Sequence, residues 1–132
     1  MTVKTSSLLL LATALACGGT SPVEDLDPQE LLQMLGGPPG HAPLVLDVRT
    51  PEEYGSGHVP GARNIPHDLL SARLGEIDAH RGRPVVVYCE RGGRARKATE
   101  VLADAGFTRI LHLDGDMAAW RDAGLPQQRG AP

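Results

Sequence analysis

The stretch Val85-Val86-Val87-Tyr88-Cys89-Glu90-Arg91-Gly92-Gly93-Arg94-Ala95 decides the fold. A β-branched apolar run reads as a buried strand, and the alanine-rich, charged pattern after Gly93 reads as a helix. Between them lie a cysteine and a Gly-rich turn flanked by arginines. A thiol at such a junction faces converging backbone N–H groups and the positive end of the helix macrodipole, both of which favour thiolate over thiol. Arg91 and Arg94 add positive charge. A lone strand-end cysteine is ordinarily a small buried hydrophobe. Here Gly92 and Gly93 permit the close-backbone geometry of an anion loop, and they move the reading of Cys89 towards a nucleophile.

Strands recur on either side of this junction with helical segments between them. Asp27-Pro28-Gln29-Glu30 starts a helix, with Asp27 as N-cap, Pro28 at the first helical position and Glu30 able to close a capping box. Leu44–Val48 reads as a buried strand, and Thr50-Pro51-Glu52-Glu53 as a second capped start. A short strand at 62–65, a helix around 68–74, the strand 85–88, a helix over 94–105, a strand at 109–113 and a last helix at 117–123 follow. Gly106 stops the longest helix, whose Arg96, Lys97, Glu100 and Asp104 face water. The alternation predicts an α/β fold: a mostly parallel sheet with helices on both faces and its active loops at the strands' carboxyl ends.

The composition bounds what such a domain does. Of 132 residues, 41% are hydrophobic but only 3% aromatic, with 16 glycines, which suits an aliphatic core with many tight turns. A net charge of −3 provides no basic stripe, so nucleic acid is excluded as an expected partner. His41, His58, His67, His80 and His112 lack metal-ligand spacing, so no metal is expected, and no other cofactor is implied.

At the N-terminus, Lys4, the apolar run Leu8–Leu15 and the small residues Ala14 and Ala16 read as an export signal over residues 1–16. The run is too short to span a membrane. Ala14-x-Ala16 suits ordinary signal peptidase, whereas Ala14-Leu15-Ala16-Cys17 resembles a bacterial lipobox, the favoured reading. Residues 17–26 then form a flexible tether from a lipidated Cys17, which would be the only link to a membrane. The expected location is periplasmic, as a tethered lipoprotein or else soluble. Cys89 would be left as the lone thiol, unable to form an internal disulfide. Residues 27–126 form the domain, and 127–132 a frayed tail.

Several blocks of this pattern resemble a single rhodanese (sulfurtransferase) domain. They are Leu44–Arg49 with Glu52-Glu53-Tyr54, then Gly57-His58-Val59-Pro60-Gly61-Ala62-Arg63-Asn64-Ile65-Pro66, the loop Cys89–Arg94, and Leu113-Asp114-Gly115-Asp116-Met117-Ala118-Ala119-Trp120. The resemblance implies a three-layer α/β sandwich and a monomeric transferase. Its Cys89 would carry sulfane sulfur as a persulfide from a small donor such as thiosulfate to cyanide or a thiol, including a protein thiol. Glu90, Arg91, Gly92, Gly93, Arg94 and Ala95 would line the substrate, with Arg94 steering the donor anion. Asp47 and Arg49 would support the strand end, and His58 would satisfy loop hydrogen bonds.

Two positions depart from the family pattern. Ala95 stands where serine often follows the loop, and Asp116 replaces the second glycine of a Gly-Gly turn, a position where a positive φ would suit Asp better than most residues. Two other functions fit the same loop. One is a phosphatase or arsenate reductase, although four residues between Cys89 and Arg94 make a tighter ring than the five such enzymes use. The other is a non-catalytic sulfur carrier or binding module.

Overall fold

The computed structural model describes residues 23–132. The expected export signal and Cys17 lie outside the described residues. Five strands form one sheet: β1 (Glu24–Leu26), β2 (Leu44–Asp47), β3 (Arg63–Asn64), β4 (Val85–Tyr88) and β5 (Ile110–Leu113). All neighbouring pairs are parallel, in the order β1-β5-β4-β2-β3. The helices are α1 (Pro28–Leu35), α2 (Pro51–Ser56), α3 (Gly93–Asp104) and α4 (Asp116–Asp122).

The two-residue side-chain period of β4 sorts the core. Val85 and Val87, with Cys89 beyond them, join Ala95, Ala98 and Leu102 of α3 on one face. Val86 and Tyr88 point the other way, into a second cluster with Leu31 of α1, Tyr54 of α2, and Met117 and Trp120 of α4. A central strand buried on both faces is the parallel-sheet signature of the β-branched run, and all four β4 residues are buried.

Local signals place the helix starts. The Asp27 carboxylate accepts the Gln29 N–H at 2.8 Å, while the reciprocal capping box forms at α2, between Thr50 and Glu53. Three expectations need correction. Glu24–Leu26, expected within the tether, is an edge strand paired with Leu111–Leu113. The helix expected around 68–74 is replaced by two 3-10 segments, Leu70–Ala72 and Leu74–His80, the second kinked at Ile77. The tail is docked rather than frayed: Gln128 and His58 exchange backbone hydrogen bonds at 2.9 Å, and the Gly130 N–H donates to the Gly55 carbonyl at 3.0 Å.

Candidate active site

β4 delivers Cys89 to the carboxyl end of the sheet, one residue past its last paired position, and α3 begins four residues later. The side chain is buried, with 1% of its surface exposed. Gly92 adopts φ +117°, a left-handed conformation that folds the loop back over the sulfur. Its N–H donates to Cys89 Sγ at 3.0 Å. No side chain caps α3, so its first-turn N–H groups, which no helix can satisfy internally, keep the capacity to bind an anion. A cavity of about 500 Å³ opens above the sulfur, lined by Cys89, Glu90, Arg91, Gly93, Arg94 and Lys97.

Charge pairing changes the roles expected of the loop side chains. The Arg94 guanidinium binds Glu53 of α2 through two bonds, at 2.6 and 3.0 Å, so its charge is largely balanced within the fold. That contact holds the Glu53 carboxyl at about 2, well below its usual range. Glu90 turns towards α4, where Arg121 grips it at 2.9 and 3.1 Å and lowers its carboxyl. Ala95 is fully buried in the α3-side core, so its contribution to a ligand is confined to its main chain. Arg91 is exposed. Lys97, read from sequence as a water-facing residue, lies on the cavity wall. It sits one turn after Arg94, and that i,i+3 spacing on α3 is the signal that could have found it.

Beneath the loop lies a buried polar frame. Arg49 Nη2 reaches Asp47 Oδ2 at 2.7 Å and the Gly57 carbonyl at 2.7 Å, and its guanidinium lies 5.7 Å from the Tyr88 ring centroid. The Tyr88 hydroxyl donates to Asp47 at 2.8 Å and accepts the Val59 N–H at 3.1 Å. Burial, with Asp47 adding to it, drives the Tyr88 phenol far above its usual range. Asn64 donates to the carbonyls of Asp47 and Arg49. No buried side-chain nitrogen or oxygen among the described residues lacks a partner, as a costly buried ion pair requires. His58 stacks on Tyr54 with ring centroids 3.6 Å apart, and its Nδ1 lies 2.7 Å from the Tyr54 carbonyl oxygen. It does not line the cavity.

The first residues of α4 also reach the loop, although sequence reasoning gave them no site role. The Cys89 N–H donates to Asp116 Oδ1 at 3.0 Å. The Cys89 carbonyl accepts the Met117 N–H at 3.0 Å, and the Glu90 carbonyl accepts that of Ala118 at 3.1 Å.

Comparison with known proteins places this arrangement. The family model described as "Rhodanese-like domain" matches residues 27–123. A protein named "Sulfurtransferase" from Allochromatium vinosum is 36% identical over 104 residues, covering 79% of this chain and 94% of that one. "Thiosulfate sulfurtransferase 16, chloroplastic" from Arabidopsis thaliana is 41% identical over 91 residues, covering 61% and 76%. Among solved structures, a rhodanese-related protein from Thermoplasma volcanium superposes with a TM-score of 0.69 at 27% identity, over 80% of this chain and 97% of that one. With most of the described chain inside the matched region and the cysteine loop at the end of its central strand, the chain belongs to the rhodanese-like domain family.

Proposed function

We propose that the chain is a sulfurtransferase that moves sulfane sulfur from thiosulfate or a related anionic donor to cyanide or a thiol through Cys89. One observation carries the proposal: Cys89 Sγ sits under a positive-φ loop, accepts the Gly92 N–H at 3.0 Å and faces a helix start with no side-chain cap. Such a cradle stabilises negative charge on sulfur before any substrate arrives.

In the first half-reaction the Cys89 thiolate attacks the outer sulfur of thiosulfate. The bond between the two donor sulfurs breaks, sulfite departs with the electron pair, and Cys89 carries a persulfide. In the second, an acceptor thiolate or cyanide attacks the terminal sulfur and the Cys89 thiolate leaves. No electron is gained or lost overall. Arg91 and Lys97 supply the positive charge that draws the donor in, while the charge of Arg94 is largely balanced by Glu53.

The test is thiocyanate production from thiosulfate and cyanide by the purified full chain beside Cys89→Ser, with mass spectrometry of the Cys89 peptide after thiosulfate alone. Expected are repeated turnovers that the variant lacks and one added sulfur on Cys89. Added sulfur without turnover would replace the enzyme with a sulfur carrier. If no sulfur donor loads Cys89, the sulfurtransferase proposal fails and the oxyanion chemistry of a phosphatase or arsenate reductase takes its place.

A further inference from the structure

Asp116 is the only residue other than glycine with a positive φ among the described residues, at 57°. A left-handed backbone disfavours any side chain, yet this one is charged and only 1% exposed. Its carboxylate lies behind the catalytic loop. Oδ1 accepts the Cys89 N–H at 3.0 Å, and a Cβ built at Gly92 would approach Oδ2 to 3.0 Å. The glycine of the loop therefore makes room for the aspartate that begins α4. With Met117 holding the Cys89 carbonyl, both main-chain groups of the cysteine are fixed from the start of α4.

A buried carboxylate so close to an anionic nucleophile needs a counter-charge, and His112 provides it from β5. Its Nε2 lies 3.0 and 3.1 Å from the two Asp116 oxygens, and its Nδ1 lies 3.2 Å from Asp25 Oδ1 on β1. A neutral imidazole donates one hydrogen bond, so it can serve only one of these two carboxylates, whereas the imidazolium serves both. The ring borders an open cavity of about 450 Å³, which gives protons a path to it. The charged groups facing it there are Asp25 from β1, Asp116 from the start of α4, Arg91 from the loop, and Arg96 and Glu100 from α3. None of these is another imidazole.

We propose that Asp116 is the positioning residue of the Cys89 main chain and that His112 is its counter-ion, so that the charge on His112 sets the field an anion meets at the thiol. The choice of an anion as the relevant ligand rests on the sulfur-transfer reading; the geometry does not. Hydrogen bonding to Asp116 raises the imidazole above its usual range. The pair is therefore neutral through mildly acidic pH, and as pH rises through the raised value the carboxylate is left uncompensated behind Cys89.

The experiment compares alkylation of Cys89 by iodoacetate, an anion, with alkylation by neutral iodoacetamide. It uses the full chain, follows the Cys89 peptide by mass spectrometry and runs from about pH 5.5 to about pH 9. Both reagents attack the same thiolate, so their rate ratio cancels its abundance and reports the local field. In the native chain the ratio should fall about threefold as His112 deprotonates, the size expected of one unit charge acting through a partly screened site. His112→Gln should hold the ratio at its low, alkaline value throughout, whereas Asp116→Asn should keep it at or above the native acid value at every pH, with any step moved to lower pH. A step that survives in His112→Gln, or an Asp116→Asn profile that follows the native curve, would overturn the proposal. Melting curves establish that each variant is folded, and His112→Gln alone remains decisive should Asp116→Asn unfold. No sulfur donor takes part, so the result stands apart from the outcome of the thiocyanate assay.

Discussion

Arg94 sits where an arginine closing the cysteine loop would be expected to meet the donor directly, but in the fold its guanidinium is already committed to Glu53. Removing Arg94 alone leaves that carboxylate unpaired at the cavity edge, so Arg94→Ala should raise the KM for thiosulfate about fivefold. Glu53→Gln should instead lower it, because the guanidinium loses its competing anion. Steady-state kinetics of the two single variants and the double variant would check this, and a rise in KM in Glu53→Gln would show that the pair works by orienting Arg94. Arg94 was legible in the sequence from its place in the loop, and Glu53 only as a helix-capping residue. Its second role arises across 41 positions of chain, a separation that no local pattern encodes.

Among the elements, α1 and α2 were legible because capping is a short-range matter: Asp27, Thr50 and Glu53 satisfy N–H groups within three residues of themselves. β1 and the C-terminal segment carry no such signal. Three strand residues and one antiparallel bridge are ordered only by what they dock against. The segment after Pro126 makes four hydrogen bonds to the 55–61 region: two between the main chains of Gln128 and His58, one from the Gly130 N–H to the Gly55 carbonyl, and one from the Gly61 N–H to Gln128 Oε1. Each such bond contributes about 1 kcal/mol net, against about 1 kcal/mol for fixing each of Gln128, Arg129 and Gly130, the residues that the bonds hold. Ending the chain at Pro126 should then cost about 1–2 kcal/mol and lower the Tm by roughly 5 °C or more. An unchanged melting curve would show that the segment adds no stability.

At the scale of the whole molecule, the paired charges set a pH window. Glu53 and Glu76 are held at about 2, and Glu90 is also lowered, each chiefly by an arginine partner. Depressed carboxyls stabilise the fold fully above their unfolded value, and the contribution is lost as pH falls towards about 2. His112 is raised by Asp116, so its contribution is complete below its unfolded value and is lost as pH rises through the folded one. Thermal melts should therefore peak between about pH 4.5 and about pH 6.5, and Arg94→Ala should flatten the acid limb. A Tm that climbed steadily into alkaline pH would contradict this. The sequence by itself determined the β-branched central strand, the Gly-rich cysteine loop, the helix starts and the α/β order, because each rests on side-chain period, backbone freedom or capping within a few residues. Only the tertiary structure decided which charges of the loop are paired, where Lys97 and Asp116 lie relative to Cys89, and that both ends of the described chain pair into the fold. Those outcomes depend on contacts between residues far apart in sequence, whose meeting is settled by packing.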